Sequence, residues 1–417
     1  METVDLARLQ FALTAGAHFL FVALTLGLAT LVAVLQTRAT VTGSPIHQRM
    51  TRFWGQLYLI NYAMGIVTGL VMEFQLGLAW SGLTEYAGNV FGSALAIETL
   101  VAFFVESTFL GLWIFGWNRL NRWAHLALIW VVTLTAYASA FWIMVANGFL
   151  QRPVGHVLEG GALRLADFGA MVGNPAAQLA FWHVLGGALL TGGFFMAGVS
   201  AYHLRKRTAE QDFFRKSLRL GLGLALPAAM FTVTFGGLQF SYLQPSKSSV
   251  WANRTQLMAE TQATMAALHG PGDYLPPVGP VRVAGVLMMV LWVVMIVVAG
   301  LSVLLMAFRP AVRSFRPWHW LLTLMIPVPF VTMLAGWVFR EVGRQPWAVY
   351  GLLTTADAMS PLTAVQVRVS LAAFTTVFAV LIAINYWLLA RHARRGPGAV
   401  VLGDRPAEPA PAPVPTF

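Results

Sequence analysis

The sequence predicts an all-α polytopic membrane protein of about nine transmembrane helices, with its N-terminus outside and its C-terminus cytoplasmic. Three observations lead there. The 417 residues are 58% hydrophobic and only 10% charged, with a mean hydropathy of +0.68, a balance far from that of soluble domains. Runs such as VAGVLMMVLWVVMIVVAGLSVLLMAF (283–308) exceed the roughly 20 apolar residues that cross a bilayer. The net charge of +11 is gathered in alternate loops, so it reports topology and argues against a nucleic-acid surface.

Hydrophobic periodicity places the spans at about 9–36, 53–79, 92–116, 124–147, 177–203, 218–241, 282–307, 319–340 and 368–390. With the N-terminus outside, the inner loops and tail hold 18 of the 27 lysines and arginines. They are Arg38, Arg49, Arg52, Arg119, Arg122, Arg205, Lys206, Arg207, Arg215, Lys216, Arg219, Arg309, Arg313, Arg316, Arg391, Arg394, Arg395 and Arg405. Acids such as Glu2, Asp5, Glu85, Glu159, Asp167 and Asp273 lean the other way. The opening METVDLARLQ is acidic and has no small-residue cleavage site, so the first helix is expected to stay as an uncleaved anchor. Residues 1–390 form one membrane domain with an outer loop at about 242–281. The tail, 391–417, closes on RPAEPAPAPVPTF and is expected to be disordered. No strong internal repeat is present.

The chain has no cysteine. Disulfides, thiolate-ligated haem, iron–sulfur clusters and covalent haem c attachment are thereby excluded. Any metal cofactor has to use His, Met, Glu, Asp or Tyr.

Ionisable groups inside spans are costly and usually functional. Here they are His18, Glu73, Glu98, Glu106, His183, Arg282 and Glu341. At about 1.5 Å per residue, His183 and Glu98 lie roughly 10 Å and His18 roughly 15 Å below the outer surface, with Glu73, Arg282 and Glu341 near it. Six of these seven fall in the outer half although they come from six helices. Glu106 lies eight residues deeper than Glu98, which on an ideal α-helix leaves the two about 80° apart in azimuth and about 12 Å apart along the axis. That stacking suggests a proton path; the plainer reading is a hydrogen bond from Glu106 to a neighbouring helix. Taken singly, each histidine also reads as a packing residue, Glu73 as structural, and Glu341 as an interface residue paired with Arg340 or Arg344. Taken together, the set suggests haem, a transporter site or a proton relay, and spacing alone does not choose among them.

The wording of the motifs does. RLQFALTAGAHFLFVALTLGLA (8–29), FWGQLYLINYAMGIVTGLVMEFQLGLAW (53–80), GSALAIETLVAFFVESTFLGLWIFGW (92–117), FWIMVANGFLQRP (141–153), NPAAQLAFWHVLGG (174–187) and GWVFREVGRQPW (336–347) together resemble subunit I of the cytochrome bd quinol oxidases. The resemblance extends to about residue 390. It implies a membrane terminal oxidase subunit with a low-spin haem b, a high-spin haem b and a haem d (or a further haem b), passing electrons from quinol to O2, which is reduced to water. A smaller subunit II and a bacterial or archaeal plasma membrane location are implied with it.

Carried over by motif, His183 is an axial ligand of the low-spin haem, and His18 and Glu341 serve the two active-site haems. Glu98 and Glu106 belong to the active-site and proton-delivery region. Arg282, Arg340, Arg344, Gln345 and Trp347 lie beside the haem propionates. Glu341 then faces inward while Arg340 and Arg344 supply cationic charge at the outer boundary, and Pro346, with no amide hydrogen, ends the helix.

Two elements depart from the family. A methionine normally follows two residues after the arginine opening span 7, as second ligand of the low-spin haem; PVRVAGVLMM (280–289) has Ala284 there, and Met288, about 6 Å deeper, is a candidate substitute beside its ordinary packing role. In the outer loop, LQPSKSSVWANRTQ (243–256) keeps the Gln-Pro-x-Lys element with Lys247, but the expected acid is Ala252. Glu260 is the nearest replacement for the carboxylate that would accept a quinol proton, and Lys247 also reads as a solvated loop charge. The alternatives are a catalytically reduced paralogous subunit supporting a complete oxidase, or a proton or ion transporter on the same scaffold.

Overall fold

A computed structural model describes residues 2–308, 312 and 314–403. Among them, nine helical segments are long and apolar enough to cross a membrane. They are α1 (Thr3–Thr42), α2 (Pro45–Ala79), α3 (Ser81–Phe115), α4 (Arg122–Gln151), α5 (Pro175–Lys206), α6 (Gln211–Gln239), then, after the outer loop, α9 (Val278–Met306), α10 (Arg316–Val342) and α11 (Ala364–Arg395). The outer loop is itself helical, with α7 (Pro245–Ala252) and α8 (Thr255–His269). Two small antiparallel hairpins complete the fold: β1 (His156–Glu159) with β2 (Ala162–Leu165), and β3 (Trp347–Val349) with β4 (Leu353–Thr354).

Local chemistry sets the helix ends. Gly43, with φ of 66°, closes α1 in the left-handed region and returns its N–H to the Ala39 carbonyl. Asn121 caps α4 by accepting from the Trp123 and Ala124 amides. Asn174 does the same for α5 at the Ala176 amide, with Pro175 in the first turn. Thr363 and Gln366 form a reciprocal capping box on α11.

Burial sorts the helices into layers. α5 and α1 are the interior helices, whereas α3 and α11 present apolar side chains such as Leu100, Phe104, Tyr386 and Trp387 outward. α5 packs chiefly on α6, and α1 on α2 and α5. The α1–α5 crossing is tight because both helices place glycine there: a Cβ on Gly27 would fall 2.3 Å from the Ala188 carbonyl oxygen and 2.9 Å from the Gly192 Cα. Buried amides bridge the helices where no water competes. Asn61 donates to the Phe21 carbonyl at 2.8 Å, and Asn385 donates to Asn61 at 3.1 Å.

Two membrane helices are irregular. α3 contains a π-helical stretch, Glu98–Phe103, and α10 breaks at 325–327 before resuming at Val328. The helical body also extends past the expected boundary at residue 390. α11 continues to Arg395, Leu402 is buried, and the Val401 amide donates to Gln56 at 2.9 Å. Arg309, Arg313, Arg405 and the rest of 404–417 lie outside the described residues.

Gly27→Leu should force α1 and α5 apart and destabilise the protein by about 1–3 kcal/mol, the usual cost of overpacking. A lowered thermal midpoint of the purified protein is the expected result. Gly77→Ala, where an added Cβ meets nothing within 4 Å, should not lower it, alanine being the better helix former.

Candidate functional site

A cavity of about 700 Å³ opens between α1, α2, α3, α4 and α10. His18, Glu98, Glu106 and Glu341 all line it, together with Glu73, Arg344, Gln345 and Trp347. The structure therefore brings together most of the in-membrane ionisable groups singled out from the sequence.

His18 projects from α1 with Nδ1 at 2.9 Å from the Thr68 hydroxyl. That hydroxyl gives its hydrogen to the Met64 or Gly65 carbonyl, at 2.9 and 3.0 Å, so it accepts from Nδ1–H. The Nε2 lone pair is left free, the arrangement a metal-ligating imidazole needs. Gly69 makes room for the ring: a Cβ there would lie 3.2 Å from Cε1.

On α3 the carboxylates are set by the π-helical stretch. A π turn winds less per residue than an α turn, so the 80° separation expected for an ideal α-helix does not hold, and Glu98 and Glu106 both reach the cavity. Ser139 donates to Glu98 Oε1 at 2.5 Å. The Thr99 hydroxyl bridges Glu98 Oε2 at 3.1 Å and Glu73 Oε1 at 2.8 Å. Glu106 is 5% exposed, and Tyr62 lines the cavity with it.

Glu341 is held from two sides. Its Oε2 pairs with Arg344 at 2.7 Å, and Oε1 accepts from Asn147 at 2.9 Å and Gln151 at 3.3 Å. Arg344 also donates to the Trp347 carbonyl at 3.1 Å and to the Ala348 carbonyl. Charge-assisted hydrogen bonds of this kind offset the desolvation of a carboxylate at the membrane boundary.

A sequence profile described as "Cytochrome bd terminal oxidase subunit I" matches residues 6–270 and 253–397. The chain belongs to that family. It is 37% identical to cytochrome bd ubiquinol oxidase subunit 1 of Bacillus subtilis, over 95% of this chain and 94% of that one. It is 33% identical to cytochrome bd-II ubiquinol oxidase subunit 1 of Escherichia coli, over 96% and 98%. Its fold matches the structure of bd oxidase from Geobacillus thermodenitrificans with a TM-score of 0.84 and 27% identity, covering 95% of this chain and 99% of that chain.

A cytochrome is a haem protein, and the cytochrome bd cavity of this chain suits such a group in its donors. His18 offers an unprotonated nitrogen. Elsewhere on the cavity wall, Arg8 Nε, Trp80 Nε1, Arg344 Nε and Trp347 Nε1 are buried donors without an acceptor among the described residues. Orphan donors of this kind call for a bound acceptor, and haem propionates are carboxylates.

Other predicted site residues lie elsewhere. Arg340 does not line the cavity: Nε donates to Asn147 at 2.7 Å, and the terminal nitrogens donate to Gln239 at 3.3 Å and the Ala176 carbonyl at 3.1 Å. Of the three arginines expected at propionates, Arg344 alone lines the cavity. Arg282 sits half-buried near the start of α9. His183 packs on α6, donating from Nδ1 to the Thr232 carbonyl at 2.8 Å and leaving Nε2 free. A Cβ on Gly236 would come 2.8 Å from its Cε1. Met288 rests against Gly336 of α10, its Sδ 3.0 Å from where a Cβ would be, and Ala284 packs with Val250, Val281 and Phe339.

The reading of Lys247 as a solvated loop charge is corrected. It is 2% exposed, and Nζ donates to the Arg340 carbonyl at 2.9 Å and to Gln151 Oε1 at 3.2 Å. Burial, with Arg340 nearby, pushes its ammonium down to about 7. Glu260, by contrast, is exposed on α8 and accepts from Gln256 of its own helix; no hydrogen bond or ion pair joins it to Lys247 among the described residues. Arg8, Trp80, Asn147 and Gln151 escaped the sequence reading because it counted only ionisable groups inside spans. Arg8 stands one residue before the first expected span, and an inventory of amides would have found Asn147 at the end of the fourth span and, if extended one turn past it, Gln151.

Thr68→Val should leave His18 Nδ1 without its acceptor and weaken haem retention about 10- to 100-fold, as loss of such an orienting partner does. Gly236→Ala should displace the His183 ring while leaving that residue itself unsubstituted. Haem content and the reduced-minus-oxidised spectrum of each purified variant report both effects, and wild-type spectra in both would show that neither contact orients a ligand.

Proposed function

We propose that this chain is the haem-bearing subunit I of a quinol-oxidising terminal oxidase, reducing O2 to water. The convergence of His18, Glu98, Glu106 and Glu341 on one cavity carries this reading. When bound, haem supplies the one-electron transfers and the iron at which O2 is reduced.

The protein's share is ligation, charge and protons. His18 Nε2 and the Glu341 carboxylate serve the two active-site haems, a high-spin haem b and a haem d or further haem b. His183 Nε2 serves a low-spin haem b, with Met288 the candidate for its second position. Arg344, helped by Arg8, Trp80 and Trp347, neutralises propionates. Glu106 takes protons from the cytoplasmic side and Glu98 receives them, its oxygens kept in hydrogen-bonded order by Ser139 and Thr99. With the N-terminus outside and the C-terminus cytoplasmic, protons released from quinol leave on the outer side while those consumed enter from within. Charge then separates without a pump.

Lys247 supports the electron-entry end from behind the surface, since it is buried. A smaller subunit II covers part of the membrane face, and the complex resides in a bacterial or archaeal plasma membrane. A cavity lined by a free imidazole nitrogen and orphan donors favours a haem enzyme over an ion transporter or a catalytically reduced paralogue.

The purified complex should yield three haems, including a chlorin band and a low-spin b signal. His18→Ala and Glu341→Gln should each lower haem content and cut quinol-driven O2 uptake at least about tenfold. Unaltered spectra and O2 uptake in both variants would sink these ligand assignments, and a complex free of haem would sink the oxidase reading itself.

A further inference from the structure

Gln151, the last residue of α4, stands where the outer loop meets the cavity. Its side-chain amide is shared between the two. On the loop side, Oε1 accepts from Lys247 Nζ at 3.2 Å and from Gln244 Nε2 at 2.7 Å, and Gln244 Nε2 also lies 2.9 Å from the Gln151 carbonyl oxygen. On the cavity side, Nε2 donates to Glu341 Oε1 at 3.3 Å and faces the Arg340 carbonyl at 3.4 Å. Both lone pairs of the amide oxygen and both amide hydrogens therefore have partners. Gln151 and Gln244 are each buried.

Polarity gives this bridge a direction. A glutamine amide that accepts from an ammonium at one end and donates to a carboxylate at the other aligns its dipole with both, and polarised chains of hydrogen bonds reinforce one another. Lys247 and Glu341 share no direct ion pair among the described residues; Gln151 bonds to both. Displacing α7 by a bound loop ligand would withdraw the two donors from Oε1 and leave the amide free to turn, changing what Glu341 Oε1 receives.

We infer that Gln151 is a positioning residue that ties the placement of the outer-loop helix to the orientation of the Glu341 carboxylate in the cavity. This rests on the proposed roles of Lys247 in quinol oxidation and Glu341 at a cavity haem.

Four variants of the complete purified complex test it, with the haem absorption spectrum and the KM and kcat for a short-chain quinol as readouts. Gln151→Met keeps length and loses both sets of bonds. It should shift the cavity-haem band and raise the quinol KM about two- to tenfold, the loss of a net hydrogen bond or so. Gln151→Glu keeps the acceptor for Lys247 and Gln244 but loses the donor to Glu341, so it should shift the band while leaving KM within about twofold of wild type. Lys247→Met and Glu341→Gln examine the underlying roles: the first should raise KM, the second should move the band. In addition, Lys247→Met should shift the band in the wild-type background and not in Gln151→Met. If Lys247→Met and Glu341→Gln act as expected but Gln151→Met moves neither readout, the coupling is overturned while the site assignments stand. If Lys247→Met leaves KM unchanged or Glu341→Gln leaves the band unchanged, the assignments fail and the coupling falls with them. A Gln151→Met complex that does not assemble hands the decision to Gln151→Glu, whose band shift without a KM change supports the coupling and whose wild-type spectrum overturns it.

Discussion

An ionised carboxylate cannot rest in hydrocarbon without partners, and Glu341 meets that condition through Arg344, Asn147 and Gln151. Each partner is then fixed by its own obligations. Arg344 is bound to the chain that leads into β3, Asn147 also receives Arg340, and Gln151 holds the loop helix through Lys247 and Gln244. Satisfying one acid has thus ordered the closing turn of α10, the end of α4 and the start of the outer loop. Loss of any one partner would leave a buried charge or amide exposed to hydrocarbon, which is why these residues form a unit.

The interior helices supply the rigid frame for that unit. Gly27 and Gly192 let α1 and α5 touch backbone to backbone, so His18 of α1 and His183 of α5 stand on elements that have little freedom to shift. Each imidazole is turned by a hydrogen bond at Nδ1 and seated beside a glycine, Gly69 or Gly236. The same device occurs at two places in the bundle. In both, the ring is held in one tautomer with its other nitrogen open.

Much of this was legible in the sequence. The nine spans follow from long apolar runs, and the cavity residues His18, Glu98, Glu106 and Glu341 follow from the cost of placing ionisable groups in a membrane. What periodicity could not convey was direction. Arg340 and Arg344 are four residues apart and chemically alike, yet one turns to Asn147, Gln239 and Ala176 and the other to the cavity. Lys247 looked like a loop charge because a loop of about 40 residues is assumed to be wet, whereas α7 folds it beneath the surface against Gln151. Neutral amides and indoles such as Gln151 and Trp80 carry no charge to mark them, although their hydrogen-bonding groups are as constrained as any ion in that setting.

The π-helical stretch in α3 has a consequence for how this site tolerates change. Deletion of a single residue between the two acids would let the stretch relax to ordinary α-helix and still leave Glu98 and Glu106 within about 20° of one face, since seven α-helical steps nearly complete two turns, whereas relaxation without a deletion would part them by about 80°. The shared face of these two acids is therefore a matter of winding as well as residue type, and a relative one residue shorter in this segment would keep both on that face with a plain α-helix.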